Sequence, residues 1–169
     1  MTEALSVTKL DEAAVMRLVE RGLRREDEKE CWIADQSPMK SLLSALDGIG
    51  PAYAVWGKVD GYPTPVGAIG LRAGPGEEPA IWSLWTDDLD GAMKRCIFRN
   101  TRRFVGRLLI EAGVPSAANF ASCSNQLALR WVKASGCFRI ASRTETVGKG
   151  RHMMQYFQTK PLRELLRNV

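Results

Sequence analysis

Six basic residues, Lys94, Arg95, Arg99, Arg102, Arg103 and Arg107, crowd one helix-like stretch of the chain. Steps of four from Arg95 through Arg99 and Arg103 to Arg107 place those side chains along one winding stripe. Such a stripe attracts anions: a nucleotide's phosphates, a nucleic acid or an acidic protein surface. A solvated helix face whose alkyl stems cover a sheet is the commoner arrangement for the same pattern. Directly before the stripe runs Thr86-Asp87-Asp88-Leu89-Asp90-Gly91-Ala92, a turn with three aspartates and one glycine. Aspartates at a helix start satisfy exposed N–H groups and complement the helix dipole themselves. They also repel an anion arriving at the same place.

Groups able to move a proton are scattered. Tyr53, Tyr62 and Tyr156 lie far apart in sequence, and Glu26, Asp27, Glu28 and Glu30 sit near a helix-to-loop junction. None has a sequence neighbour that singles it out, so no residue is identified as catalytic. His152 falls on a hairpin-like strand and reads as an ordinary surface histidine. Cys31, Cys96, Cys123 and Cys137 never take a two-residue spacing, and His152 is the one histidine available to help them, so no metal site is expected. Reduced, mostly buried thiols are the expectation. Trp32, Trp56, Trp82, Trp85 and Trp131 are expected mainly in the core, with one or two free for an interface.

The elements that must position these residues follow from periodicity and punctuation. Residues 11–30 read as one helix, capped by Thr8 or Asp11, through Ala14, Val15, Leu18, Val19 and Leu23. A second helix fits 37–46, with Ser37 as cap and Pro38 at the tolerated first position. Strands are expected at 52–57, 66–72 and 80–85, separated by turns at 60–63 and 73–79. A long helix over 91–112 stops at Gly113, and a strand at 117–121 follows. A short helix at 124–134, a strand at 137–142, a hairpin of 144–147 with 152–159 around 148–150, and a helical tail at 161–168 complete the reading.

With 169 residues, 45% of them hydrophobic, one domain spanning 1–169 around one core is expected. No run approaches the roughly 20 apolar residues of a membrane span, and the first residues lack a basic start and an apolar signal core. The expected location is therefore the cytoplasm. The net charge of +5 permits an anionic partner without demanding one.

The segment from Asn125 through Trp131 to Gly136 and Phe138 carries a family resemblance. It resembles a motif of the GNAT (GCN5-related N-acetyltransferase) superfamily, in which an Asn opens a short helix, an aromatic lies six positions later and a Gly-aromatic pair ends it. The element order is similar to the family's over about three quarters of the chain. The stretches 82–88 and 93–109, with 125–131, look most like the GNAT-like small proteins of tailed bacteriophages, internal virion proteins included.

The resemblance implies an α/β (α+β) fold: a GNAT-like mixed, mostly antiparallel central sheet flanked by helices. It implies acetyl-CoA as cofactor, with the backbone of Leu84, Trp85 and Thr86 gripping the pantetheine arm. Gly91 and Ala92 would approach the phosphates, Arg95 would supply positive charge, and Asn125 and Trp131 would serve from the short helix. The turn at 86–92 departs from the family's glycine-rich pattern, and Trp131 stands where family enzymes often carry a proton-donating Tyr. Two readings follow: an N-acetyltransferase acting on an acceptor amine, or a non-catalytic GNAT-shaped virion protein or binder of host factors. Nucleic-acid binding is disfavoured, because no aromatic residue interleaves the arginines on the same exposed face.

Overall fold

The computed structural model describes residues 5–34, 36–147 and 151–167. Seven strands form one sheet: β1 (Leu5–Lys9), β2 (Ala52–Val59), β3 (Tyr62–Arg72), β4 (Ala80–Trp85), β5 (Ala118–Ser122), β6 (Phe138–Val147) and β7 (His152–Thr159). The helices are α1 (Glu12–Arg21), α2 (Arg25–Ile33), α3 (Pro38–Ser44), α4 (Gly91–Ala112), α5 (Gln126–Ala134) and α6 (Leu162–Leu166). The strand order is β1-β2-β3-β4-β5-β7-β6. All neighbours pair antiparallel except β4 and β5, which pair parallel through Ala80 and Ala118 alone. The expected mixed, mostly antiparallel sheet flanked by helices is what the chain forms.

Strand alternation sends alternate residues of β2, β3 and β4 into opposite clusters. On one side, Ala54 and Ala68 meet Ala14, Val15 and Leu18 of α1 and Leu42 of α3. On the other, Tyr53, Leu71 and Ile81 meet Val105, Leu108 and Leu109 of α4, with Val132 of α5 and Leu165 of α6. A third cluster, Val55, Val66, Trp85, Leu89 and Met93, closes the start of α4 against the sheet. The helix termini obey the capping chemistry of their residues. Asp11 Oδ1 accepts the Ala14 N–H at 2.8 Å, Ser37 Oγ the Lys40 N–H at 3.2 Å, and Asp90 Oδ1 the Met93 N–H at 2.7 Å. Gly113 ends α4 at a φ of 67°.

Three expectations need correction. The helix expected over 11–30 is two helices, because Gly22 turns left-handed at a φ of 81° and the Arg24 N–H goes to the Trp85 carbonyl at 2.8 Å. The separate strand at 137–142 and first hairpin arm at 144–147 are one strand, β6, whose pairing with β7 shifts register between Ile140 and Thr144. The expected hairpin centre at 148–150 lies outside the described residues. Strand β1 was not expected; it pairs with β2, and the Trp56 indole N–H bonds the Thr8 hydroxyl at 2.9 Å.

The glycines of β3 make room for tryptophan. Gly67 faces Trp85 across the strand pair and Gly70 faces Trp82. A Cβ at Gly67 would lie 2.2 Å from the Trp85 ring and 2.9 Å from the Leu84 carbonyl. The indole therefore lies on the bare backbone of β3, and no methyl fits beneath it. Gly67→Ala is expected to destabilise the fold by about 1–3 kcal/mol, the usual cost of overpacking. Urea unfolding checks this, and an unchanged midpoint would contradict the packing described.

Candidate functional site

Beyond Ala80 and Ala118 the strands β4 and β5 part, bridged near the start of the gap by Asn119 Nδ2 donating to the Ile81 carbonyl at 2.6 Å. The ends of both strands then have no strand partner between them, and their backbone groups need other ones. Helix α2 supplies these. Asp27 Oδ2 accepts the Trp85 N–H at 2.7 Å, and Glu30 Oε1 accepts the Ser122 N–H at 2.9 Å and Asn125 Nδ2 at 3.0 Å. The three-residue spacing of Asp27 and Glu30 puts both carboxylates on one helix face, one toward each strand. Asp27 is 3% exposed and is held by Arg24 through both oxygens, at 2.8 and 2.9 Å to Nη2.

Burial pushes both carboxyls above the ordinary range. For Asp27 the Arg24 guanidinium and the Trp85 N–H work against it, and for Glu30 the Ser122 N–H and Asn125 do.

Two concavities lie either side of this junction. A depression of about 300 Å³ is bounded by Arg24, Thr86, Asp87, Lys94, Ser124 and Arg130, among others. A cleft of about 700 Å³ is bounded by Glu30, Cys31, Trp82, Ser83, Leu84 and Phe120. Thr86 lies on one side and Leu84 on the other; Trp85 between them, with its partner Asp27, borders neither. The Asp27–Trp85 pair is thus a partition between the two.

The acidic turn is less repulsive than its composition indicates. Asp88 is bound by Arg21 through two contacts of 2.6 Å, and Asp90 caps α4. The hydrogen bonds from Arg21 hold the Asp88 carboxyl below the ordinary range. Asp87 alone of the three borders the depression, where it and Glu26 face Arg24, Lys94 and Arg130.

The other residues implied by the resemblance are dispersed. Gly91 and Ala92 are exposed at the start of α4. The Arg95 guanidinium folds back there, its Nη1 3.3 Å from where a Cβ of Gly91 would stand. Asn125 caps α5 through the Ala128 N–H at 3.1 Å as well as binding Glu30. Trp131 packs at a tilt against Phe138, with ring centroids 5.8 Å apart, and borders neither concavity.

Nor is the basic stripe one surface. Arg102 donates to the Glu164 and Leu165 carbonyls of α6 at 2.7 and 2.9 Å, and Arg107 pairs with Glu111 at 2.7 Å. Among the described residues Lys94, Arg95, Arg99 and Arg103 make no ion pair. The tyrosines stand apart from the junction: Tyr53 donates to Glu111, Tyr156 donates to Glu78 at 2.8 Å, and Tyr62 is exposed beside the Asp60-Gly61 turn. No group of three or more His, Cys, Asp or Glu among the described residues could hold a metal ion, and no helix there is long and apolar enough to cross a membrane.

In the sequence Asp27 and Glu30 are carboxylates of an acidic stretch with no evident partner. Their partners lie 58 and 92 residues away, a separation no local pattern records. Nothing in the sequence marks Ser124 and Arg130 as residues of a site.

No family model and no curated protein matches the sequence. Solved structures do match. Spermidine N-acetyltransferase of Vibrio cholerae in complex with CoA and spermine is 10% identical, over 98% of this chain and 100% of that one, with a TM-score of 0.68. A spermidine N-acetyltransferase chimera from Vibrio cholerae and hSSAT is 11% identical over 98% and 99%, with a TM-score of 0.69. The ribosomal-protein-S18-alanine N-acetyltransferase of Escherichia coli is 12% identical over 94% of each chain, with a TM-score of 0.62. These neighbours show that the chain has the GNAT fold.

Because burial raises the Glu30 pKa in the folded chain, the folded state binds that proton more tightly than the unfolded one. Its stability contribution is greatest below the ordinary glutamate range and is lost as pH rises through the raised value. The stability of the wild type relative to Glu30→Gln is therefore expected to fall as pH rises. Urea unfolding of both at a series of pH values checks this, and a difference flat with pH would contradict it.

Proposed function

We propose that this chain is an N-acetyltransferase that takes its acyl group from acetyl-CoA and delivers it to an amine. One observation carries the reading: the parted strands β4 and β5 are flanked by two concavities, one bounded by Thr86 and the other by Leu84, with only the Asp27–Trp85 pair between them. A reaction joining two separate molecules needs two binding places this close together.

Acetyl-CoA would supply the activated acyl group. The smaller depression would offer its anionic part Lys94 and Arg130, beside Glu26, Asp87 and the Arg24 that Asp27 holds. Gly91, Ala92 and Arg95 at the start of α4 would receive phosphate, aided by the helix dipole. Leu84, Trp85 and Thr86 would border the pantetheine arm. Asn125 would act by holding Glu30, and Trp131 by fixing α5 against β6. Arg21, by binding Asp88, keeps one negative charge of the turn away from the phosphates.

A second reading is favoured by one feature of the same strand. The Trp85 N–H is given to Asp27 and its carbonyl accepts the Arg24 N–H, so both groups that would grip the arm are engaged from within the chain. On this reading the protein is a non-catalytic, phage-encoded GNAT-fold protein, a virion component or a binder of host factors, and α2 has taken the ligand's place.

Calorimetric titration with acetyl-CoA separates the two. The acetyltransferase reading expects a dissociation constant within about 1 μM to 1 mM, the span common for enzyme substrates. It also expects at least about tenfold weaker binding in a Lys94→Glu, Arg130→Glu variant, because two charges beside the phosphates change sign. Absence of binding by the wild type, or affinity untouched by the double variant, overturns it in favour of the second.

A further inference from the structure

The larger cleft has a composition that selects among amines. Its walls are mostly apolar, with Trp82, Leu84, Phe120, Ile33 and Met154 contributing. Among the described residues bordering it, Glu30, Asp47 and Arg72 carry charge. Asp47 is exposed to solvent, and the Arg72 guanidinium faces Glu77 at 3.4 Å. Glu30 differs from both. It is partly buried, and its two hydrogen bonds, from Ser122 N–H and Asn125 Nδ2, fall on Oε1. No hydrogen bond to a described residue falls on Oε2, so one oxygen is fixed and the other is left to accept from a cation in the cleft.

We propose that this cleft binds an amine with a single cationic nitrogen on an apolar or aromatic body, the ammonium meeting Glu30 Oε2 and the body lying against Trp82 and Phe120. As the acceptor of the reaction, this amine rests on the acetyl-transfer reading; as a ligand, it does not. One partly buried carboxylate neutralises one ammonium. The further ammonium groups of a polyamine would lie against mostly apolar walls, where Asp47, exposed to solvent, is the one other carboxylate among the described bordering residues, and they would lose hydration there. The cleft therefore distinguishes this chain from the structural neighbour solved with spermine, whose fold it shares.

Calorimetry on the full chain without acyl donor tests the proposal, using phenethylamine, phenethyl alcohol and spermidine as probes. Phenethylamine is expected to bind at least about tenfold more tightly than the alcohol, the difference a charge-assisted hydrogen bond provides, and more tightly than spermidine. Glu30→Gln is expected to erase the preference for amine over alcohol while leaving alcohol binding unchanged. The wild-type comparison of the three probes stands by itself if that variant fails to fold. Equal binding of amine and alcohol, or spermidine binding as tightly as phenethylamine, overturns the proposal. Amine selectivity without acetyl-CoA binding retires the acetyl-transfer reading and keeps the amine site; acetyl-CoA binding without amine selectivity does the reverse.

Discussion

Two strands that begin side by side and then separate leave backbone donors facing a gap, and the rest of this structure is arranged around satisfying them. An unpaired buried N–H costs about 1–3 kcal/mol, enough to forbid the separation unless something fills it. Here the filler is a pair of carboxylates from α2, Asp27 on the Trp85 N–H and Glu30 on the Ser122 N–H. Because each carboxylate also needs a partner, Arg24 and Asn125 are drawn in, and they fix the start of α2 and the start of α5. The sheet, both helix starts and the two concavities are consequently one assembly.

The electrostatics are local and mutually compensating. An acidic turn before a basic helix suggests strong opposed fields, yet four of these charges are engaged within the fold. Asp88 goes to Arg21, Asp90 to the helix start, Arg107 to Glu111 and Arg102 to α6. Among the described residues Asp87, Lys94, Arg95, Arg99 and Arg103 make no ion pair, and of these Asp87 and Lys94 border the smaller concavity. Surface pairs such as Arg21–Asp88 and Arg107–Glu111 contribute little stability one by one, so their main effect is on which charges a ligand meets.

Much of the fold was legible because its signals are local. Asp11, Ser37 and Asp90 announce helix starts, Gly113 a stop, and the runs 52–57, 66–72 and 80–85 are strands in the structure. What the sequence concealed has a common cause. Gly22 reads equally well as tolerated within a helix or as its end, and the choice is made by Trp85, which captures the Arg24 N–H. Strand β1 is short and largely exposed, so it lacks the alternation that marks a half-buried strand. Glu30 looks like any surface glutamate in an acidic helix, since Ser122 and Asn125 reach it from the other half of the chain. The residues of the candidate site were thus partly named but not assembled.

The clasp of Arg102 on α6 bears on the order in which the molecule assembles. Five residues cannot hold a helix by themselves. Helix α6 exists because Arg102 takes two of its carbonyls, Leu165 enters the cluster beneath α4, and Arg139 reaches Glu164 at 2.6 Å. All three attachments belong to elements made earlier in the chain. During synthesis α4 and β6 must therefore already be in place before this last turn has anything to wind against, and it is the element most readily shed when either one loosens.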